Sequence, residues 1–134
     1  MTPFKLKIVT PDGMIYDGEC EELMVRTSGG DVGIRARHMN YVAPLGMGRA
    51  VILNKGERRT AACIGGMLSV VDGAVTLVPT TFEWSDKIDV ERAQRSYERA
   101  DKVLKDTNAS GTELALAEAR LHRALVRKSV ASYK

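Results

Sequence analysis

Met67-Leu68-Ser69-Val70-Val71-Asp72-Gly73-Ala74-Val75-Thr76-Leu77-Val78 sets two apolar, β-branched runs on either side of an Asp-Gly pair. A two-residue hairpin turn of type I′ needs positive φ at both central positions, and Asp-Gly reaches it at low cost. The stretch therefore predicts a tight β-hairpin. Upstream, Phe4, Leu6 and Ile8 alternate with Lys5 and Lys7, a period of 2 that marks a half-buried strand. Leu23-Met24-Val25 runs into the break Ser28-Gly29-Gly30-Asp31, and Val51-Ile52-Leu53 into Asn54-Lys55-Gly56-Glu57. Pro11-Asp12-Gly13 is a further turn signal. Short strands at near-regular spacing predict a β-sandwich or barrel over residues 1–84. Of the 12 glycines, 11 lie before residue 85, as a turn-rich β domain requires.

Downstream of Trp84 the period changes. Val90, Ala93, Tyr97, Ala100 and Leu104 are spaced 3, 4, 3 and 4, one stripe of a helix. Ser85, Asp86 and Asp89 are candidate N-caps. The helix is expected to stop near Asp106-Thr107-Asn108. Ser110 and Glu113 then form a candidate capping box, and Leu114, Ala117, Leu121 and Ala124 repeat the helical spacing. Residues 85–134 thus predict an antiparallel α-helical hairpin following the all-β unit, an α+β chain overall. The alanine-rich stripes allow close approach but bury little area, so the hairpin is expected to be marginal by itself, as a conformational switch requires.

The formal net charge of +3 conceals an asymmetry. Residues 1–86 carry 9 Lys+Arg against 10 Asp+Glu, and residues 87–134 carry 11 against 7. A basic C-terminal third suits an anionic partner. Only 5% aromatics, without aromatic-basic interleaving, argue against nucleic acid. No apolar run approaches the roughly 20 residues of a membrane span, so direct membrane insertion is not expected. Met1-Thr2-Pro3-Phe4-Lys5 does not read as a signal peptide, and Cys20 and Cys63 are expected to be free buried thiols. No His/Cys cluster offers a metal site. Neither a Ser-His-Asp arrangement nor HExxH is present, so nothing argues for catalysis.

Neither GxxxxGK[ST] nor GxGxxG occurs, which excludes a P-loop or Rossmann nucleotide site at motif level. The arginines carry more information. Arg92, Arg95 and Arg99 lie roughly 150° from the apolar stripe of the first helix, and Arg120, Arg123 and Arg127 form a similar row on the second. Converging guanidiniums suit a polyphosphate, since each donates a planar fork to phosphate oxygens. The competing reading is a solvated face: Glu91–Arg95, Glu98–Lys102 and Asp101–Lys105 stand at i,i+4, the spacing of ordinary helix support.

Three stretches together resemble the epsilon subunits of F-type ATP synthases, bacterial type. They are Gly30-Asp31-Val32-Gly33-Ile34 with His38 following, Gly65-Gly66-Met67-Leu68-Ser69-Val70 leading on to Glu83, and Ile88-Asp89-Val90-Glu91-Arg92-Ala93. The chain departs from the family over Arg35-Ala36-Arg37-His38-Met39-Asn40-Tyr41, where Leu-Pro-Gly-His-Ala-Pro-Leu is usual. The resemblance implies a non-catalytic rotor subunit of the central stalk, peripheral on the cytoplasmic face of the bacterial cell membrane. Its partners would be the gamma subunit, the c-subunit ring and the alpha/beta catalytic head. Its C-terminal helices would restrain ATP hydrolysis. Asp31 and His38 would face the c ring or gamma. No cofactor is required, but the resemblance brings ATP in as a regulatory ligand. Glu83 and Asp89 would then meet the adenine amino group, Ile88 and Ala93 the base, and Arg92, Arg99, Arg123 and Arg127 the phosphates. A free-standing nucleotide-sensing module is the alternative, separated by co-purification with gamma.

Overall fold

The computed structural model of the protein describes residues 1–133. The chain forms two compact units, Met1–Trp84 and Ser85–Lys134. In the first, ten strands run in order: β1 Phe4–Thr10, β2 Gly13–Cys20, β3 Glu22–Thr27, β4 Gly30–Ile34, β5 Tyr41–Pro44, β6 Met47–Asn54, β7 Glu57–Ile64, β8 Met67–Val71, β9 Ala74–Val78 and β10 Thr81–Trp84. They make two five-stranded sheets, β2-β1-β9-β8-β5 and β10-β7-β6-β3-β4. Between sandwich and barrel, the fold is a sandwich. All pairings are antiparallel except β1 with β9.

The core follows from the alternation. Phe4, Leu6 and Ile8 of β1 point inward, while Lys5 and Lys7 are exposed. Leu23 and Val25 of β3, Ile34 of β4, Leu68 and Val70 of β8, and Leu77 of β9 meet them, all but sealed from water. Burying such a side chain contributes about 1.5–3 kcal/mol, so this cluster dominates the unit's stability.

The Asp72-Gly73 hairpin forms as read, with φ of 50° and 81° at its two central residues. Lys55 and Gly56 repeat the device between β6 and β7, at 52° and 76°. At Gly66 the constraint is contact. A Cβ there would sit 1.9 Å from the Val78 carbonyl oxygen, so only glycine lets the two strands close.

The second unit opens with a 3-10 turn, Ser85–Lys87, followed by α1 Val90–Leu104 and α2 Gly111–Ala131. Of the three candidate caps for α1, Asp89 does the capping: its carboxylate accepts from the Arg92 amide at 3.0 Å. The helix ends at Leu104, a little short of the expected Asp106, with Lys105 as its C-cap. At α2 the Ser110 hydroxyl accepts from the Glu113 amide at 3.1 Å and donates to the Glu113 carboxylate at 3.2 Å. Ala93, Ala100, Ala117 and Ala124 are the buried positions of the two predicted stripes. Among the described residues no helix is long and apolar enough to cross a membrane.

Candidate functional site

The helical unit carries the charge. Of the three expected i,i+4 supports, Asp101–Lys105 closes at 2.9 Å, and the pairing raises the Lys105 pKa. Among the described residues Glu91–Arg95 and Glu98–Lys102 form no ion pair, and Glu98 accepts instead from Gln94 at 3.0 Å. More cations are therefore left uncompensated than the spacing alone predicts.

Between the two helices, towards their connecting loop, lies a groove of about 690 Å³. Helix α1 contributes Ser96, Arg99, Ala100, Lys102 and Val103, and α2 contributes Glu113, Leu116, Ala117 and Arg120. Ala100 and Ala117 form a buried floor, and the charged side chains stand exposed on the rim. The volume falls within the range of small-ligand sites, about 300–1,000 Å³.

The predicted ATP residues are placed as follows. Asp89 serves as the helix cap beside Arg92, Ile88 and Ala93 are buried, and Arg92 and Arg99 are exposed on α1. Arg123 and Arg127 are half-buried on α2, and Arg127 already has a partner. Of the four predicted phosphate ligands, Arg99 alone lines the groove. It shares the groove with Arg120, one of the arginine row of α2, and with Lys102, whose spacing from Glu98 predicts helix support. Glu83 lies in β10, opposite Ala62 of β7.

In the sandwich, Asp31 sits exposed on β4, and Arg26 of the neighbouring strand reaches it at 3.4 Å. His38 lies in the loop after β4. Its Nδ1 is 2.8 Å from the Met39 carbonyl, and its ring meets Tyr41 edge-on at 5.9 Å. Arg37, just before it, has φ of 64°, a left-handed turn in the segment that departs from the family.

One surface escaped the sequence reading. On β5, β8 and β9 the side chains opposite the core face form an apolar ribbon. Val42, Met67, Val71 and Val78 are 63%, 43%, 52% and 46% exposed. Register places Pro44 across from Met67 and Met67 across from Val78, while Val42 stands one pleat along β5, across from Ser69, and Val71 one pleat beyond Ser69 on β8. A largely apolar exposed strip of this kind, crossed by the half-buried Ser69 and Thr76, suits a docking surface. The runs 67–71 and 74–78 hide it, because apolar residues stand on both faces and only the sheet turns Met67, Val71 and Val78 outward.

Both thiols are free and buried, as expected. Burial pushes Cys20 up to about 11 and Cys63 to about 12. They are inert structural groups.

Residues 3–85 match the family described as ATP synthase, Delta/Epsilon chain, beta-sandwich domain. Residues 86–132 match that described as ATP synthase, Delta/Epsilon chain, long alpha-helix domain. The chain is 43% identical to the ATP synthase epsilon chain of Ruminococcus albus, over 100% of both chains. It is 38% identical to that of Bacillus pumilus, over 98% of each. In fold it is similar to a chain in the Euglena gracilis mitochondrial ATP synthase structure described as OSCP/F1/c-ring. That likeness has a TM-score of 0.85 at 20% identity and covers 96% of this chain and 81% of that one.

Proposed function

We infer the role of this chain from one premise: it belongs to the family of ATP synthase epsilon chains. It is read as a non-catalytic subunit of the central stalk, seated between gamma and the c ring at the cytoplasmic face of the membrane. The observation that carries this reading is the apolar ribbon of Val42, Met67, Val71 and Val78, a face suited to burial against a partner subunit. The loop holding His38 and the exposed Asp31 provides polar ends for contact with the c ring. The basic helical hairpin, with 11 Lys+Arg against 7 Asp+Glu over residues 87–134, suits acidic surface on the alpha/beta head. There it would restrain hydrolysis. ATP is read as the regulatory ligand of the hairpin, on the strength of Ile88-Asp89-Val90-Glu91-Arg92-Ala93 and the uncompensated arginines.

Met67→Asp puts a charge between Pro44 and Val78 in the ribbon, on a position already exposed, so the sandwich should still fold. Co-purification with gamma should fall at least tenfold, while Arg58→Ala, on β7, should leave it unchanged. Equal capture of both variants would overturn the docking reading. Full activity as an unattached nucleotide binder would then favour the free-standing module.

A further inference from the structure

We propose that a cleft at the edge of the sandwich, where β2 faces the β6–β7 hairpin, binds a small hydroxycarboxylate. Arg59 takes the carboxylate, and Trp84 is the platform that aims Arg59. The proposal stands apart from the docking and ATP readings above and goes beyond both.

The cleft measures about 230 Å³ and is lined by Tyr16, Ile52, Asn54, Lys55, Glu57 and Arg59. Four of these form two cross-strand pairs on one face of the hairpin, Ile52 opposite Arg59 and Asn54 opposite Glu57. Tyr16 comes from β2, the edge strand of the other sheet. Ile52 is 2% exposed and supplies an apolar wall. The turn at the hairpin tip has a set shape. Lys55 and Gly56 take left-handed φ, and the Lys55 amide donates to the Glu21 carboxylate.

Arg59 is the distinctive member. Its Cζ lies over the Trp84 ring, 3.6 Å from the centroid. A guanidinium nitrogen aimed at the ring from that distance would clash, so the group meets the ring through its face. Its N–H donors lie in its own plane and stay available to an acceptor beside the ring. Among the described residues neither Arg59 nor Lys55 has an ion-pair partner.

Charge and size select the ligand. Lys55 and Arg59 against Glu57 leave one positive charge in excess. A single negative charge balances it, whereas a phosphate dianion overshoots and meets Glu57. The cleft is also smaller than the about 300–1,000 Å³ of sites that enclose drug-sized ligands, so a nucleotide is too large. A carboxylate matches both the charge and the planar fork. Burial raises the Tyr16 pKa, so the phenol keeps its proton and donates it to the Glu19 carbonyl. Towards the cleft Tyr16 therefore offers lone pairs. With Glu57 it can accept from a hydroxyl carried next to the carboxylate.

The test uses the full chain, whose one tryptophan is Trp84. Its fluorescence reads the stacked guanidinium directly. Lactate at fixed ionic strength should give a saturable change, where chloride gives none. Propionate lacks the hydroxyl and should bind a few-fold more weakly, and inorganic phosphate more weakly than lactate. Variants alter the reporter, so their affinities are read from NMR shifts of the Asn54 and Lys55 amides. Arg59→Lys keeps the charge but loses the fork, and should weaken lactate about tenfold or more. Glu57→Gln should tighten phosphate more than lactate. Trp84→Leu should weaken lactate several-fold, and Trp84→Phe, which keeps an aromatic face, should recover most of the loss. Arg58→Ala, one residue along and so on the other face of β7, should change nothing. A response to lactate no different from chloride overturns the site. Undiminished affinity in Arg59→Lys overturns the role of Arg59, and equal affinity of the two Trp84 variants overturns the platform. Phosphate binding as tightly as lactate overturns the carboxylate class, and propionate binding as tightly overturns the hydroxyl.

Discussion

The two units are held by different kinds of interior. The sandwich seals Leu6, Ile8, Leu23, Ile34, Leu68 and Leu77 between its sheets, large side chains from strands far apart in sequence. The hairpin meets through Ala93, Ala100, Ala117 and Ala124. An alanine methyl removes far less apolar area from water than a leucine, and stability scales with that area at about 25 cal/mol per Å². The sandwich is thus built to persist and the hairpin to be reversible. A stalk subunit needs a fixed foot, and the regulatory role proposed above for the hairpin would need a low cost of rearrangement.

The difference can be broken most sharply in the sandwich. Leu68→Ala should cost about 2–5 kcal/mol, since it leaves a cavity where both sheets meet. Denaturant unfolding followed by Trp84 fluorescence reports it, because Trp84 packs edge-on to Phe82 at 4.9 Å beneath the Arg59 guanidinium. The contrasting change belongs to the seam. Ala117→Leu forces a large side chain between closely approaching helices, and should cost about 1–3 kcal/mol. The loss should appear as faster amide exchange in α1 and α2, with exchange in β8 and β9 unchanged. Equal acceleration in both units would show that they unfold as one and would erase the comparison.

The same contrast governed what could be read in advance. Asp72-Gly73 was legible because its turn chemistry is local. So were the two helical stripes and the Ser110 cap. Strand β7 was not, since Glu57–Ile64 begins with exposed charge and ends in an unbroken buried run without alternation. Strand β2 alternates too weakly to announce itself. In the site, Asp89 was legible as a cap. Which arginines meet was not, because that depends on the level at which two antiparallel helices pair. Spacing within each helix contains no such information. The ribbon was hidden for the opposite reason: its residues read as core until the sheet assigns them a face.

The finest test uses the thiols, which occur only in the sandwich. Burial raises Cys63 from an ordinary 9.0 to about 12. An acid with a raised folded pKa holds its proton after the unfolded chain has lost it. The unfolded state then binds fewer protons than the native one, so stability falls as pH rises. The window opens at the unfolded value near 9 and closes near 12. Between pH 9 and 10 the loss attributable to Cys63 should be about 1 kcal/mol, from the 1.36 kcal/mol carried by each unit. Cys20, raised to about 11, acts in the same direction. Cys63→Ala should therefore flatten the dependence of sandwich stability on pH across that unit. It should not change the pH dependence of hairpin amide protection, since α1 and α2 carry no cysteine. If the hairpin lost protection in step with the sandwich and both were rescued by Cys63→Ala, its helices would depend on the β unit for their order, and the alanine seam could not be credited with a stability of its own.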